Sequence, residues 1–131
     1  MNVVDSSGWL EYFANESNAN VFAPPIEDVA HLVVPSLTLY EVFKRVLQQR
    51  SEGDALRAVA AMQQGLVVDL TPTLALAAAR VGVRHKLALA DSVVLTTAQA
   101  HGATLWTQDA DFEAITGVRY FPKKRSGLPK R

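Results

Sequence analysis

Cysteine is absent from this chain, which excludes a disulfide framework and thiolate metal sites and fits a reducing compartment. No apolar run approaches the roughly 18 residues that a membrane span needs. The N-terminus, Met-Asn-Val-Val-Asp, lacks the basic stretch of an export signal and carries a carboxylate at position 5, so a cytoplasmic location is expected and no membrane partner. Histidine is scarce. His31, His85 and His101 have no second histidine at helical spacing, which disfavours a zinc site or a histidine acid–base pair. Acids are missing from the C-terminus: Lys123, Lys124, Arg125, Lys130 and Arg131 follow Phe121 with no carboxylate among them.

That last absence unmasks a charge asymmetry beneath the net charge of zero. All 13 acids lie in residues 1–121, against 8 of the 13 basic residues, a body of about −5 joined to a basic tail. Such a division suits an enzyme that gathers carboxylates around a cation and recruits a polyanion elsewhere, with a merely solubilising tail as the alternative. The 131 residues, 49% of them hydrophobic, suffice for one core. The expected organisation is a domain over 1–122 and a tail over 123–131.

Five short runs dense in Val, Leu or aromatics read as strands: Asn2–Asp5, Leu32–Pro35, Leu66–Leu70, Thr104–Thr107 and Val118–Pro122. They do not alternate polar with apolar, the pattern of parallel strands buried on both faces. Helices are expected over Ser7–Phe13, Ser36–Arg50, Gly53–Gln64, Leu74–Val83 and Leu89–His101, with Gly102 as a C′ stop. Pro24-Pro25 is expected to break the first crossover into two short helices. Strands alternating with helices imply an α/β fold, three layers with a central, mainly parallel five-stranded sheet.

Open α/β sheets bind ligands beyond the carboxyl ends of their strands, which makes the acids a geometric test. Asp5 closes the first strand, Glu41 lies in the helix after the second, and Asp109 follows the fourth by two residues. Asp91 opens the helix that leads into the fourth strand and projects beside Val94, Leu95 and Ala98. A carboxylate on such a face is costly unless it caps, pairs or binds a metal. Each acid has a plainer role open to it: an N-cap for Asp5 or Asp91, and an i, i+4 ion pair with Arg45 for Glu41. Of Asp109 and Asp111, one is expected to cap a short helix running to Ile115.

Together these residues resemble the PIN-domain nucleases, and most closely the VapC toxins of prokaryotic toxin–antitoxin pairs. The resemblance runs from Val3-Val4-Asp5-Ser6-Ser7 to Val118–Phe121. It is most specific in Arg84-His85-Lys86-Leu87-Ala88-Leu89-Ala90-Asp91-Ser92 and in Gly102-Ala103-Thr104-Leu105-Trp106-Thr107-Gln108-Asp109-Ala110-Asp111-Phe112. It implies Asp5, Glu41, Asp91 and Asp109 as catalytic acids, with Asp5, Asp91 and Asp109 holding Mg²⁺ (or Mn²⁺). Ser6, Thr107 and Asp111 are implied in support. The implied reaction is metal-dependent hydrolysis of RNA phosphodiester bonds, and the implied partners are a VapB-like antitoxin and a second copy of the chain. Lys44, Arg45, Lys123, Lys124 and Arg125 are candidate RNA contacts. Two other readings stand beside it: a PIN-fold nuclease of RNA processing outside a toxin–antitoxin pair, and, more distantly, a receiver-type signalling domain phosphorylated on Asp69.

Overall fold

The computed structural model describes residues 1–124; Arg125, Lys130 and Arg131 of the basic tail lie outside them. Strands β1 (Asn2–Val4), β2 (Val33–Pro35), β3 (Leu66–Val68), β4 (Thr104–Thr107) and β5 (Val118–Tyr120) alternate with helices. Helices α1 (Ser6–Phe13) and α2 (Ala19–Glu27) follow β1. Helices α3 (Ser36–Gln49) and α4 (Glu52–Met62) follow β2, and α5 (Pro72–His85) and α6 (Leu89–Ala100) follow β3. No helix among the described residues is long and apolar enough to cross a membrane.

All the strand pairs described are parallel. One ladder runs β1-β4-β5, a second pairs β2 with β3, and a single bridge from Asn2 to Leu32 joins them. The expected five-stranded sheet is therefore two ladders meeting at a seam, in the spatial order β3-β2-β1-β4-β5.

Side chains of successive strand residues point to opposite faces, and the two cores follow this alternation. Val4 and Val34 turn toward α1–α4, where they meet Trp9, Phe22, Val42, Ala55 and Met62. Val3, Val33 and Leu105 turn the other way, toward Val81 of α5, Val94, Leu95 and Ala98 of α6, and Phe112. Continuous apolar runs thus encode a sheet covered on both sides, as the sequence pattern implied.

The prolines do not break the first crossover. Pro24 and Pro25 lie inside α2, and the break falls earlier, at Asn15, whose positive φ of 54° suits asparagine better than most residues. Burial of Phe22, Pro25 and Ile26 in the core outweighs the backbone hydrogen bonds the prolines forgo, and α2 ends within one turn of them. Likewise α5 starts earlier and ends later than its apolar pattern suggests. Thr71 caps it through Leu74 N, Pro72 occupies its first turn, and Lys86 stops it in the left-handed region.

Gly8 sets how closely α1 approaches the sheet. A Cβ there would lie 2.7 Å from Val4 Cγ1 and 2.8 Å from the Phe22 ring. Alanine at a helix interior normally gains up to about 1 kcal/mol over glycine, whereas overpacking a core costs about 1–3 kcal/mol. Gly8→Ala is therefore expected to lower unfolding stability in a denaturant titration. A variant more stable than the parent would show that α1 does not need this approach.

Candidate functional site

The carboxyl ends of β1 and β4 lie side by side, and the acids collect there. Asp5 is the first residue beyond β1 and is buried. Its backbone N–H donates to Trp106 O at 3.1 Å, which continues the ladder. Its side chain caps α1: Oδ1 accepts from Gly8 N at 3.2 Å and from the Ser7 hydroxyl at 2.6 Å. Oδ2 accepts from Thr107 Oγ1 at 2.8 Å. A carboxylate offers about four lone-pair sites, so three hydrogen bonds leave room for roughly one further partner. Asp5 thus fills the capping role weighed above, and it lies close enough to Asp109 and Asp91 for their charges to couple.

Thr107 joins Asp5 to the next acid. The hydroxyl that donates to Asp5 also accepts from Asp109 N–H at 2.9 Å, and Thr107 is fully buried. Asp109 in turn accepts from Asp111 N at 2.9 Å and caps a single 3-10 turn, Ala110–Phe112, shorter than the helix to Ile115 that the sequence suggested. The turn ends once Phe112 is seated in the core.

Asp91 stands in the first turn of α6, whose N-cap is Ala88, so it is not the cap. The turn that carries it is fixed from both sides. Ser92 Oγ donates to Ala88 O at 2.8 Å, and a Cβ on Gly82 of α5 would come within 2.5 Å of that oxygen. Oxygens of Asp91, Asp109 and Asp111 all lie within 4.8 Å of one another. Asp111, undecided against Asp109 by position and implied only in support by the resemblance, thus converges with them, while Asp5 is not one of the trio and has hydrogen bonds on both oxygens. Glu41 approaches from α3, half-buried, with the Ser6 hydroxyl near it. The Glu41–Arg45 ion pair does not form; among the described residues the ion pairs are His31–Asp28 and Arg57–Asp54.

The electrostatics reflect this crowding. Burial pushes Asp91 up from 3.8 to about 7, and repulsion by Asp109, Asp5, Asp111 and Glu41 adds to it. Burial also raises Asp5 to about 6, against the hydrogen bonds from Ser7, Thr107 and Gly8 and with repulsion from Asp109. Glu41 is raised by burial, with Ser6 opposing. An oxygen-only cluster of mutually repelling carboxylates is a donor set that hard divalent cations match.

Other sequence candidates stand elsewhere. Lys44 lies over the Tyr40 ring at 5.6 Å, on the exposed face of α3. Asp69 is exposed beyond β3, on the far strand of the second ladder. His31 binds Asp28, and His101 Nδ1 meets Thr97 O at 3.0 Å. Ser7, Gly8 and Gly82 were not singled out from the sequence. Gly8 follows Asp5 by one helical turn, which is the one local signal that marks it; Gly82 reveals itself only where two helices touch.

A protein-family model described as PIN domain matches residues 3–118. No curated protein matches the chain. Solved structures share its fold. A toxin–antitoxin complex from Klebsiella pneumoniae superposes with a TM-score of 0.77 at 22% identity, over 94% of this chain and 100% of that one. VapC20 of Mycobacterium tuberculosis, described as a sarcin–ricin loop cleaving toxin, gives 0.73 at 17% identity, over 88% and 95%. A DNA-bound VapBC from Salmonella typhimurium gives 0.70 at 15% identity, over 93% and 98%.

The raised carboxyls have a signed consequence for stability. Between pH 4 and 7 the folded protein keeps a proton on Asp91 that the unfolded chain, ionising near 3.8, has released. Stability of the metal-free protein therefore falls as pH rises through this window, and Asp5 adds to the fall between 4 and 6. Melting temperature in EDTA is expected to drop from pH 5 to pH 8, and Asp91→Asn to flatten the drop and exceed the parent at pH 8. Asp5→Asn should not share that gain, because its amide would leave the buried Thr107 proton without an acceptor, a loss of about 1–3 kcal/mol. A flat parent profile would contradict the placement of Asp91.

Proposed function

The chain belongs to the PIN domain family, and we propose that it is a Mg²⁺-dependent endoribonuclease, the toxin of a VapBC-type pair. The observation that carries this reading is the convergence of Asp91, Asp109 and Asp111, with Asp5 and Glu41 close enough to raise Asp91. Family membership removes the receiver reading, and Asp69 stands apart from the cluster.

In this reading Asp91, Asp109 and Asp111 hold the cation, and Asp5 adds its charge to theirs. When bound, such a cation supplies positive charge against the scissile phosphate and acidifies water at neutral pH. The chain's own residues do the positioning. Thr107 fixes the spacing of Asp5 and Asp109 by donating to one and accepting from the other. Gly82 and Ser92 fix the α6 turn that presents Asp91. Glu41, raised by burial, orients the attacking water and takes up its proton. No side-chain nucleophile takes part. The same crowded negative charge is a fitting target for a guanidinium from an antitoxin segment, which would compete with the metal for the carboxylates. The toxin–antitoxin complexes among its fold relatives support that partnership, and a homodimer and a cytoplasmic setting belong to the same proposal.

Asp91→Asn and Asp109→Asn are each expected to reduce cleavage of RNA with Mg²⁺ by at least 100-fold while remaining folded, and EDTA to abolish cleavage by the parent. Gel analysis of labelled RNA, with mapping of the cut ends, checks both. Full cleavage in EDTA would overturn the metal-dependent reading.

A further inference from the structure

A second feature begins where the acidic site ends. An open groove of about 510 Å³ runs from Ser7 and Gln108 along α1 and α3 to the C-terminal segment, a size typical of small-ligand sites. Ser7 donates to Asp5, and Gln108 precedes Asp109 in the chain, so groove and acidic cluster share a border.

Arg45 of α3 and Lys123 and Lys124 beyond β5 line it, all exposed and none in an ion pair among the described residues. Two acids oppose these three cations, Glu16 and the buried Glu11. On α3, Glu41, Arg45 and Gln49 follow one another at four-residue spacing, a single stripe that advances about 6 Å per step. The stripe passes from acid to cation to amide as it leaves the cluster.

The floor is built from buried polar groups. Glu11 Oε1 accepts from Gln108 Nε2 at 3.1 Å, and its Oε2 accepts from Asn18 N at 2.9 Å. Asn18 Nδ2 donates to Gln108 Oε1 and to Pro122 O, both at 3.1 Å. All three side chains are more than nine-tenths buried. Phe121 N–H donates to Thr107 O at 2.9 Å, and its ring stacks on Trp106. These ties hold the chain at Pro122, so Lys123 and Lys124 emerge at a set place facing Arg45.

We propose that this groove is a phosphate subsite. It takes an RNA backbone phosphate next to the scissile one, with Arg45, Lys123 and Lys124 as its counter-charges and the Glu11–Asn18–Gln108 network holding the segment that carries the two lysines. The subsite rests on the nuclease reading but concerns binding, so it is tested without metal. Strand and cluster repel each other in the absence of a cation, and the groove supplies the attraction that brings the backbone to the acids.

The test is fluorescence polarisation of a labelled random-sequence single-stranded RNA 12-mer in EDTA, across a salt series. Each phosphate contact on a single strand contributes about 0.7 to the slope of log affinity against log salt. The variant Arg45→Ala/Lys123→Ala/Lys124→Ala, which changes exposed side chains alone, is expected to lower that slope by about 0.7, the share of one phosphate, and affinity at 0.1 M salt by about 5-fold. Arg80→Ala/Arg84→Ala on α5 removes two charges away from the groove and is expected to match the parent. Equal losses in the two variants, or no loss in the first, overturn the subsite. Cleavage by the parent with Mg²⁺ is followed in parallel: cleavage with an unchanged salt slope in the first variant defeats the subsite alone. A parent that neither binds nor cleaves RNA defeats both readings.

Discussion

Five carboxylates brought to one edge of a sheet repel one another, and every local device around them serves to hold them there. The Thr107 hydroxyl is the centre of that arrangement. It has one proton and gives it to Asp5, and it takes the Asp109 N–H on a lone pair. The two acids are thereby linked through a neutral hydroxyl. The fold sustains the repulsion because both faces of the sheet are buried under helices, with Val3 and Val4 pinning the same strand from opposite sides.

Much of this arrangement was legible in the sequence, and for a physical reason. Strands buried on both faces have continuous apolar runs, so the residue that follows each run marks the carboxyl edge of the sheet. Asp5 could be placed by that rule alone, whereas Asp109, two residues beyond its run, was preferred to Asp111 only through the resemblance. Asp91 could be placed by its position on an apolar helix face. Glu41 needed the resemblance, because along its own helix an Arg45 partner explained it equally well; in the structure that partner turns to the groove instead.

What stayed hidden depends on contacts between elements remote in sequence. Asp111 joins the trio because the turn after β4 folds back under Phe112, which no local pattern announces. The helix breaker after α1 is Asn15 and not the prolines, since burial of Phe22 and Ile26 decides what α2 tolerates. Glu11, Asn18 and Gln108 read as ordinary polar residues, yet they form a buried network that spans α1, the start of α2 and the segment beyond β4.

The seam in the sheet gives the site a mechanical division. Asp5, Asp109 and Asp111 belong to the ladder of β1, β4 and β5, whereas Glu41 rides on the helix that leaves β2. One bridge, Asn2 to Leu32, is the only strand pairing between these halves among the described residues. Both cores bridge that line, Val4 with Val34 on one face and Val3 with Val33 on the other, so side-chain packing joins the halves where strand pairing is sparse. The site thus straddles the seam, with three acids on one ladder, Glu41 on the helix that leaves the other, and Asp91 brought in by α6, so its spacing is set by helix packing more than by strand pairing.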